Sequence, residues 1–185
     1  AVSYERIMDL LSQKSDITDP KHPLTKIENG SLEYDIDRFA YEKEATLKDV
    51  HFALKKGQTL GIVGQTGSGK TSLLKLLLRE YDVNQGTIKL NGHDIRQYRL
   101  ADLRSLIGYV PQDQVLFAMS ILDNIRFGDP NLTFTAVEGA TKLSQVYDDI
   151  VAMPQGFDTI IGEKGVSLSG GQKQRIAMSR AMILN

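Results

Sequence analysis

An apolar run, a glycine-rich octapeptide and a leucine-rich segment follow one another between residues 59 and 78, and this order strongly constrains the fold. The octapeptide at residues 64–71 reads GQTGSGKT and satisfies the pattern G-x-x-x-x-G-K-[ST]. Residues 59–63 are typical of a central parallel strand covered on both faces, and the sequence after Gly69 is typical of a helix. Glycines let the loop's N–H groups point inward at phosphate oxygens, and the helix start adds its positive dipole end. The order predicts a phosphate cradle.

The side chains at the end of the loop predict how a nucleotide is held. Lys70 is placed to reach the β- and γ-phosphates, and the hydroxyl of Thr71 is placed to take one position on Mg²⁺. Kinases, GTPases, helicases and transporters share this loop, so the loop alone does not identify the nucleotide or the process that its hydrolysis drives. The candidate binding residues of the cradle are Gly64, Gln65, Thr66, Gly67, Ser68, Gly69, Lys70, Thr71 and Ser72.

A second short motif precedes another helical pattern near residue 170. The sequence LSGGQ at residues 168–172 places Ser169 and two glycines just before apolar residues that recur at helical spacing, Ile176 and Ala177. It predicts a helix N-terminus able to receive an anion. Taken alone, a Ser-Gly-Gly turn is more often an ordinary helix cap.

The remaining periodicities predict an arrangement of strands followed by helices. Apolar residues alternate with polar ones at two places and predict half-buried strands there. The leucines after Gly69 are too many for one stripe, which predicts a helix buried on most sides. The predicted strands are residues 32–36, 50–54, 59–63, 86–92 with the turn Asn91-Gly92, and 107–110; residues 120–154 are predicted to be helical.

The first 24 residues differ from the rest of the chain. Apolar residues at helical spacing, from Tyr4 to Leu11, predict a short amphipathic helix, and Pro20 and Pro23 mark a linker after it. The apolar face has no partner within its own segment, so we expect the helix to pack on something else.

Composition excludes several classes of protein. The 185 residues include 22 Lys and Arg against 23 Asp and Glu, a formal net charge of -1, which argues against nucleic acid as a partner. There is no cysteine, which excludes disulfides and thiolate metal sites. No run approaches the roughly 20 apolar residues of a membrane-spanning helix.

The LSGGQ motif downstream of GQTGSGKT resembles the signature of ATP-binding cassette (ABC) proteins, and the resemblance covers nearly the whole chain. It implies an α/β fold, a P-loop NTPase (RecA-like) core with an antiparallel β subdomain and an inserted α-helical subdomain, incomplete at its C-terminal end. Residues 1–24 would be a connector helix and linker from an upstream membrane domain. Residues 25–185 would be a partial nucleotide-binding domain, with its helical lobe at about 113–168.

The resemblance also implies roles for residues outside the cradle. Tyr41 matches the aromatic residue that stacks on adenine, and Gln112 matches the Q-loop glutamine that contacts Mg²⁺ or the attacking water. Two such domains would meet head to tail as a homo- or heterodimer, so the signature of one caps the γ-phosphate held by the other. The residues implied to act in trans are Ser169, Gly170, Gly171 and Gln172.

Finer matches resemble ABC exporters rather than importers. They are the opening YERIMDLL, the stretch QDQVLFAMSILDNIRFG and the stretch GFDTIIGEKGVSLSGGQ, in which Glu163 would contact a coupling loop. The resemblance implies a multidrug or lipid half-transporter that binds Mg-ATP and hydrolyses it to power transport. Its partners would be a second nucleotide-binding domain and a transmembrane domain. Its location would be the cytoplasmic face of a membrane, most simply a bacterial cell membrane.

Two alternatives remain open at this point. One is a soluble, non-transport ABC ATPase, against which the near-neutral charge and the exporter-like opening both count. The other is a degenerate cassette that binds ATP as the regulatory half of a heterodimeric transporter. Family members carry, after the signature helix, an apolar strand ending in an Mg²⁺-ordering Asp, a catalytic carboxylate and a switch histidine. None occurs before Asn185, so we expect residues 1–185 alone to fold poorly and to be inactive as an ATPase.

Overall fold

The computed structural model of the protein describes residues 2–25, 30–113, 115–162 and 166–183. The chain forms two compact units, Ala1–Arg104 and Ser105–Asn185. The first unit is built on a sheet with short helices before and after it. In chain order its elements are α1 (Val2–Ser12), β1 (Leu32–Phe39), β2 (Leu47–Leu54), α2 (Lys70–Leu77), β3 (Gln85–Leu90), β4 (His93–Asp94) and α3 (Leu100–Ser105), which ends at the boundary.

The sheet of the first unit is antiparallel throughout, in the order β2-β1-β3-β4. Its buried face carries Tyr34, Ile36 and Ile88, while Asp35 and Asp37 of β1 point to solvent. The alternation predicted for residues 32–36 and 50–54 is therefore confirmed. Asn91 and Gly92 both have positive φ and join β3 to β4 as a two-residue hairpin, which confirms the turn prediction.

A bulge shifts the pairing of β1 with β3 between Ile36 and Arg38. Gly86 lies opposite Ile36 with φ of 109°, and a Cβ there would come within 2.1 Å of the carbonyl oxygen of Asp35. Only glycine fits so close an approach of two backbones. The bulge brings Phe39 to the buried face at the end of β1, next to the segment that contains Tyr41.

Helix α2 packs one face against the first unit's core. Its buried residues are Ser72, Leu73 and Leu76, and the hydroxyl of Tyr34 donates a hydrogen bond to the carbonyl of Leu73 at 2.9 Å. Burial raises the pKa of the Tyr34 hydroxyl. Leu73 and Leu76 are buried, Leu77 and Leu78 are half-buried, and Leu74 is 40% exposed, so the helix covers most of its leucines and leaves one at the surface.

Two predicted strands of the core are not formed. Residues 59–63 and 107–110 have extended or irregular backbone with no strand pairing, and Val63 is 94% exposed. The apolar run has the composition of a central strand. A strand also needs a neighbouring strand with which to exchange backbone hydrogen bonds. No such neighbour for residues 59–63 lies in the described part of the first unit.

Helix α1 confirms the amphipathic helix predicted for the start of the chain. Its described apolar side chains are exposed, among them Tyr4 at 67% and Leu11 at 74%. The linker after it is attached to the unit by two hydrogen bonds. The amide of Leu24 donates to the carbonyl of Gln97, and Asp19 accepts from the amide of Leu100.

The second unit is helical over its described residues, apart from two isolated β-bridges. Its helices after α3 are α4 (Ile121–Ile125), α5 (Phe134–Leu143), α6 (Tyr147–Val151) and α7 (Gly170–Met182). The hydroxyls of Ser120 and Thr133 cap α4 and α5. The helices enclose one apolar core, formed by Ile121, Ile125, Val137, Val146, Ile150, Phe157, Ile161, Leu168 and Ile176.

Across the described residues, every helix is too short or too polar to cross a bilayer.

Candidate functional site

The phosphate cradle predicted at residues 64–71 is a glycine-rich loop that runs into α2 within the first unit. Gly69 is the N-cap of α2, with φ of 89°, and no side chain caps the helix. A Cβ on Gly69 would lie 2.6 Å from Cδ2 of Leu47, so both the dihedral angle and the packing require glycine. The first-turn N–H groups of α2 therefore lack a side-chain acceptor and can serve an anion.

The side chain of Lys70 folds back over the loop. Its Nζ donates hydrogen bonds to the carbonyl of Gly64 at 2.7 Å, the carbonyl of Gln65 at 2.6 Å and Oγ of Ser68 at 3.4 Å. The loop thus fixes a positive charge among its own oxygens, directly beside the start of α2. A phosphate group placed over the loop would meet this ammonium and the helix N-terminus together.

The two residues after Lys70 differ in exposure. Thr71 is exposed on the first turn of α2, so its hydroxyl can reach a ligand over the loop. Ser72 is buried, and its Oγ accepts a hydrogen bond from the hydroxyl of Tyr41 at 2.9 Å. This bond ties the segment after β1 to the start of α2.

Tyr41 lies at the exposed rim of an aromatic cluster. Its ring is 43% exposed and meets the ring of Phe39 edge to face, with centroids 4.9 Å apart, and that of Tyr81 at 4.8 Å. The amide of Ala40 donates to Oδ1 of Asn84 at 2.6 Å, which fixes the backbone just before the tyrosine. A partly exposed aromatic ring close to a phosphate loop can stack on a planar base.

The LSGGQ motif forms the N-terminus of α7, as predicted from the sequence. The Oγ of Ser169 accepts from the amide of Gln172 at 3.2 Å, and Oε1 of Gln172 accepts from the amide of Ser169 at 3.0 Å. This reciprocal arrangement is a capping box. Gly170 and Gly171 are exposed beside it, so their N–H groups face solvent at the positive end of a 13-residue helix.

Polar contacts anchor the rest of α7 inside the second unit. Ser179 and Ser144 share a buried hydrogen bond of 2.7 Å between their hydroxyls, and Arg175 pairs with Asp149. Nε of Arg180 donates to the carbonyl of Asn124 at 2.7 Å, and its guanidinium lies 5.5 Å from the ring centroid of Phe127. Burial lowers the pKa of Arg180. These contacts hold the motif's helix firmly on its core.

The remaining predicted residues lie in the second unit or outside the described chain. Gln112 is exposed in a bend directly after Pro111. Glu163 lies outside the described residues. No group of three His, Cys, Asp or Glu side chains is arranged to hold a metal in the part of the chain that the structure describes. The structure therefore brings Tyr41 together with residues 64–72 in one unit and places Gln112 and residues 169–172 in the other.

Sequence reasoning missed two residues next to these sites. Tyr81, which contacts Tyr41, stands at the end of the leucine-rich run, where it looks like one more apolar residue. Asn124, fully buried, receives Arg180 of α7, but a single Asn in a helical segment gives no sequence signal of such a role. Both depend on contacts between residues far apart in the chain.

An α/β fold with a glycine-rich phosphate loop, and a capped LSGGQ helix in a helical unit, are together typical of a nucleotide-binding domain of the cassette type. Residues 47–185 match the family described as "ABC transporter". The chain is 43% identical over 185 residues to the "Probable multidrug resistance ABC transporter ATP-binding/permease protein YheI" of Bacillus subtilis, covering 99% of the chain and 32% of that protein. It is 41% identical over 187 residues to the "Multidrug resistance-like ATP-binding protein MdlA" of Escherichia coli, covering 100% and 32%.

A solved structure is similar over the whole chain. It is titled "Structure of a bacterial Atm1-family ABC exporter with ATP bound", and it matches with a TM-score of 0.91 and 34% identity over 100% of this chain and 33% of that one. The protein belongs to the ABC transporter family. The resemblance to ABC exporter proteins and the fold class inferred from the sequence are thereby confirmed. The chain spans about a third of the length of YheI and MdlA.

Proposed function

We propose that this chain is the ATP-binding domain of an ABC exporter, which hydrolyses ATP to power transport of a substrate across a membrane. The observation that carries the proposal is the loop at residues 64–71, where the Lys70 ammonium is held by the carbonyls of Gly64 and Gln65 beside an uncapped helix start. The similarity to a protein whose name gives both ATP binding and permease activity supports transport over the soluble alternative.

The cradle is proposed to bind the phosphates of ATP. The loop and α2 supply N–H donors, Lys70 supplies charge to the β- and γ-phosphates, and Ser72 lies two residues further along the helix. Tyr41 is proposed to stack on the adenine ring, a role that its partial exposure permits. In this assignment the fold positions the ligand and contributes electrostatic stabilisation.

Mg²⁺ is proposed to accompany ATP. The side chains that would contact it are Thr71, through its hydroxyl, and Gln112, through its amide oxygen, and oxygen donors of this kind suit a hard cation. When bound, the ion would neutralise charge on the β- and γ-phosphates. The exposure of Thr71 on the first turn of α2 supports this assignment.

The signature motif is proposed to act on a second nucleotide-binding domain. In a head-to-tail dimer, Ser169, Gly170, Gly171 and Gln172 would cap the γ-phosphate bound by the partner's loop. The exposed N-terminus of α7 and the ordered side chain of Ser169 support the proposal. The other proposed partner is a transmembrane domain of the same transporter, reached through residues 1–24 as a connector. These partners would place residues 25–185 at the cytoplasmic face of a membrane.

Substitution of Lys70 tests the proposal directly. In the full-length protein that contains this chain, reconstituted in lipid vesicles, Lys70→Ala should reduce ATP hydrolysis by up to about a hundredfold, because one lost charge-assisted contact is worth up to about 3 kcal/mol. Lys75→Ala, a lysine in the last turn of the same helix, is the matched control and should retain hydrolysis within about twofold. Full hydrolysis by Lys70→Ala would refute the assignment.

A further inference from the structure

Tyr81 lies just after α2 and contacts the tyrosine proposed to stack on the base. The two rings meet nearly at right angles, with 4.8 Å between centroids and an interplanar angle of 84°. Tyr81 also approaches Phe39 edge to face at 6.2 Å. Edge-to-face pairs of this kind have a preferred geometry and add to the energy of simple burial. Tyr81 thus constrains the orientation of the Tyr41 ring.

The position of Tyr41 is fixed from several directions. Its hydroxyl donates to Ser72, and its ring rests on Phe39, which is 1% exposed. The backbone before it is held by Asn84, three residues after Tyr81, through the amide of Ala40. Residues 81–84 therefore constrain both the ring and the backbone of the same tyrosine. An exposed ring that is already oriented loses less conformational entropy when it stacks on a ligand.

The exposure of the cluster distinguishes a positioning role from ordinary core packing. Phe39 is buried, whereas Tyr41 and Tyr81 are 43% and 41% exposed. A side chain at the exposed rim leaves no closed cavity when it is shortened, so its loss has a small effect on the stability of the unit. Shortening Tyr81 should instead lower the affinity for a ligand that contacts Tyr41.

We propose that Tyr81 is a positioning residue that orients Tyr41 for stacking on the base and thereby favours nucleotides over base-free polyphosphates. The inference rests on the proposed function, because it requires that Tyr41 contacts the base. It adds a determinant of base selectivity that does not itself touch the nucleotide. Asn84 has the same function on the backbone side, through Ala40.

The experiment compares two probes on the full-length protein, ATP and inorganic tripolyphosphate. Tyr81→Leu should weaken ATP binding about three- to tenfold, the range of an aromatic pair, and leave tripolyphosphate binding within about twofold. Tyr81→Phe keeps the ring and should restore the affinity for ATP. Tyr4→Leu, at an exposed tyrosine of α1, is the control and should change neither affinity.

Two further variants test the inference even if the Tyr81→Leu protein does not fold. Asn84→Ala removes the acceptor of the Ala40 amide and should show the same selective loss, whereas Asn84→Asp retains that oxygen and should not. Equal losses for both probes, or unchanged ATP affinity in Tyr81→Leu and Asn84→Ala, would overturn the inference. Failure of the proposed function looks different, because the unsubstituted protein would then bind neither probe.

Discussion

The amide of Gln172 donates a hydrogen bond to Oγ of Ser169, while Oε1 of Gln172 accepts one from the amide of Ser169, at 3.2 and 3.0 Å. This reciprocal pair uses a lone pair of the serine hydroxyl and leaves its proton able to donate elsewhere. The side chain is therefore ordered with a donor available at the positive end of α7. An anion approaching this helix would find one hydroxyl and the exposed N–H groups of the two glycines together.

Removing the serine hydroxyl should weaken both the helix and the proposed phosphate contact. Ser169→Ala should lower the local stability of the first turn of α7 by about 1 kcal/mol, measured by hydrogen exchange of its amides in the full-length protein. It should also reduce ATP hydrolysis by about tenfold or more, because a hydrogen bond to a charged group is lost.

Thr133→Ala is the matched control for this prediction. Thr133 caps α5 of the same unit by accepting from the amide of Ala136 at 3.2 Å, so its loss should destabilise that helix by a similar amount. It should leave hydrolysis unchanged. If both variants reduce hydrolysis equally, Ser169 acts only as a helix cap.

Gly69→Ala should disrupt the start of α2 by more than the strain of a positive φ, because the new Cβ would also clash with Leu47. Holding Ala at φ of 89° costs about 1 kcal/mol or more, and the added Cβ would also displace Leu47, which is buried. The first-turn amides of α2 should then exchange faster and ATP affinity should fall. Both effects can be measured on the full-length protein.

Gly57→Ala isolates the contribution of the dihedral angle. Gly57 has φ of 84°, similar to that of Gly69, but a Cβ there would meet nothing within 4 Å. The control should therefore show only the strain of the left-handed conformation and bind ATP normally. A Gly69→Ala protein that behaves like Gly57→Ala would contradict the proposed packing requirement.

The sequence was sufficient to predict features set by local chemistry. The glycine-rich loop before α2, the hairpin at Asn91-Gly92 and the helix start at Ser169 each follow from a few adjacent residues with special dihedral angles or capping groups. Those requirements are present in the chain itself, so they can be identified without knowledge of the neighbours.

Features that depend on distant partners were predicted poorly or not at all. Residues 59–63 have the composition of a central strand but no partner strand among the described residues. The contact of Arg180 with the carbonyl of Val115 joins residues 65 positions apart. The composition of a segment limits which secondary structures it can adopt, and contacts with residues elsewhere in the fold determine which of them forms.

The buried amide of Asn124 should be essential to the second unit. Its Nδ2 donates to the carbonyls of Phe117 and Ser120, and its Oδ1 accepts from the amide of Phe117 and from Arg180. Asn124→Ala would leave several buried groups unsatisfied, at a cost of about 3 kcal/mol. Faster hydrogen exchange throughout α4 and α7 is the expected result. Asn131→Ala, at an exposed asparagine, should change protection by less than about 0.5 kcal/mol.

The ion pair of α5 makes the stability of the second unit depend on pH, and the direction of that dependence follows from the pKa of Glu138. The ammonium of Lys142 lies 2.8 Å from the carboxylate of Glu138, and this hydrogen bond holds the pKa of Glu138 below its ordinary value of 4.5. A carboxyl group whose pKa is lower in the folded state stabilises that state above its unfolded pKa. The contribution is lost as the pH falls through the lower, folded value.

Glu138→Gln should therefore weaken α5 at neutral pH and cease to matter in acid, once the parent carboxylate is protonated. The titration of the Glu138 carboxyl carbon, followed by nuclear magnetic resonance, should have its midpoint below 4.5 in the unsubstituted protein. In Lys142→Met the midpoint should return toward that ordinary value, because the ammonium that donates to the Glu138 carboxylate is gone. An unchanged midpoint in Lys142→Met would show that the pair does not form in solution.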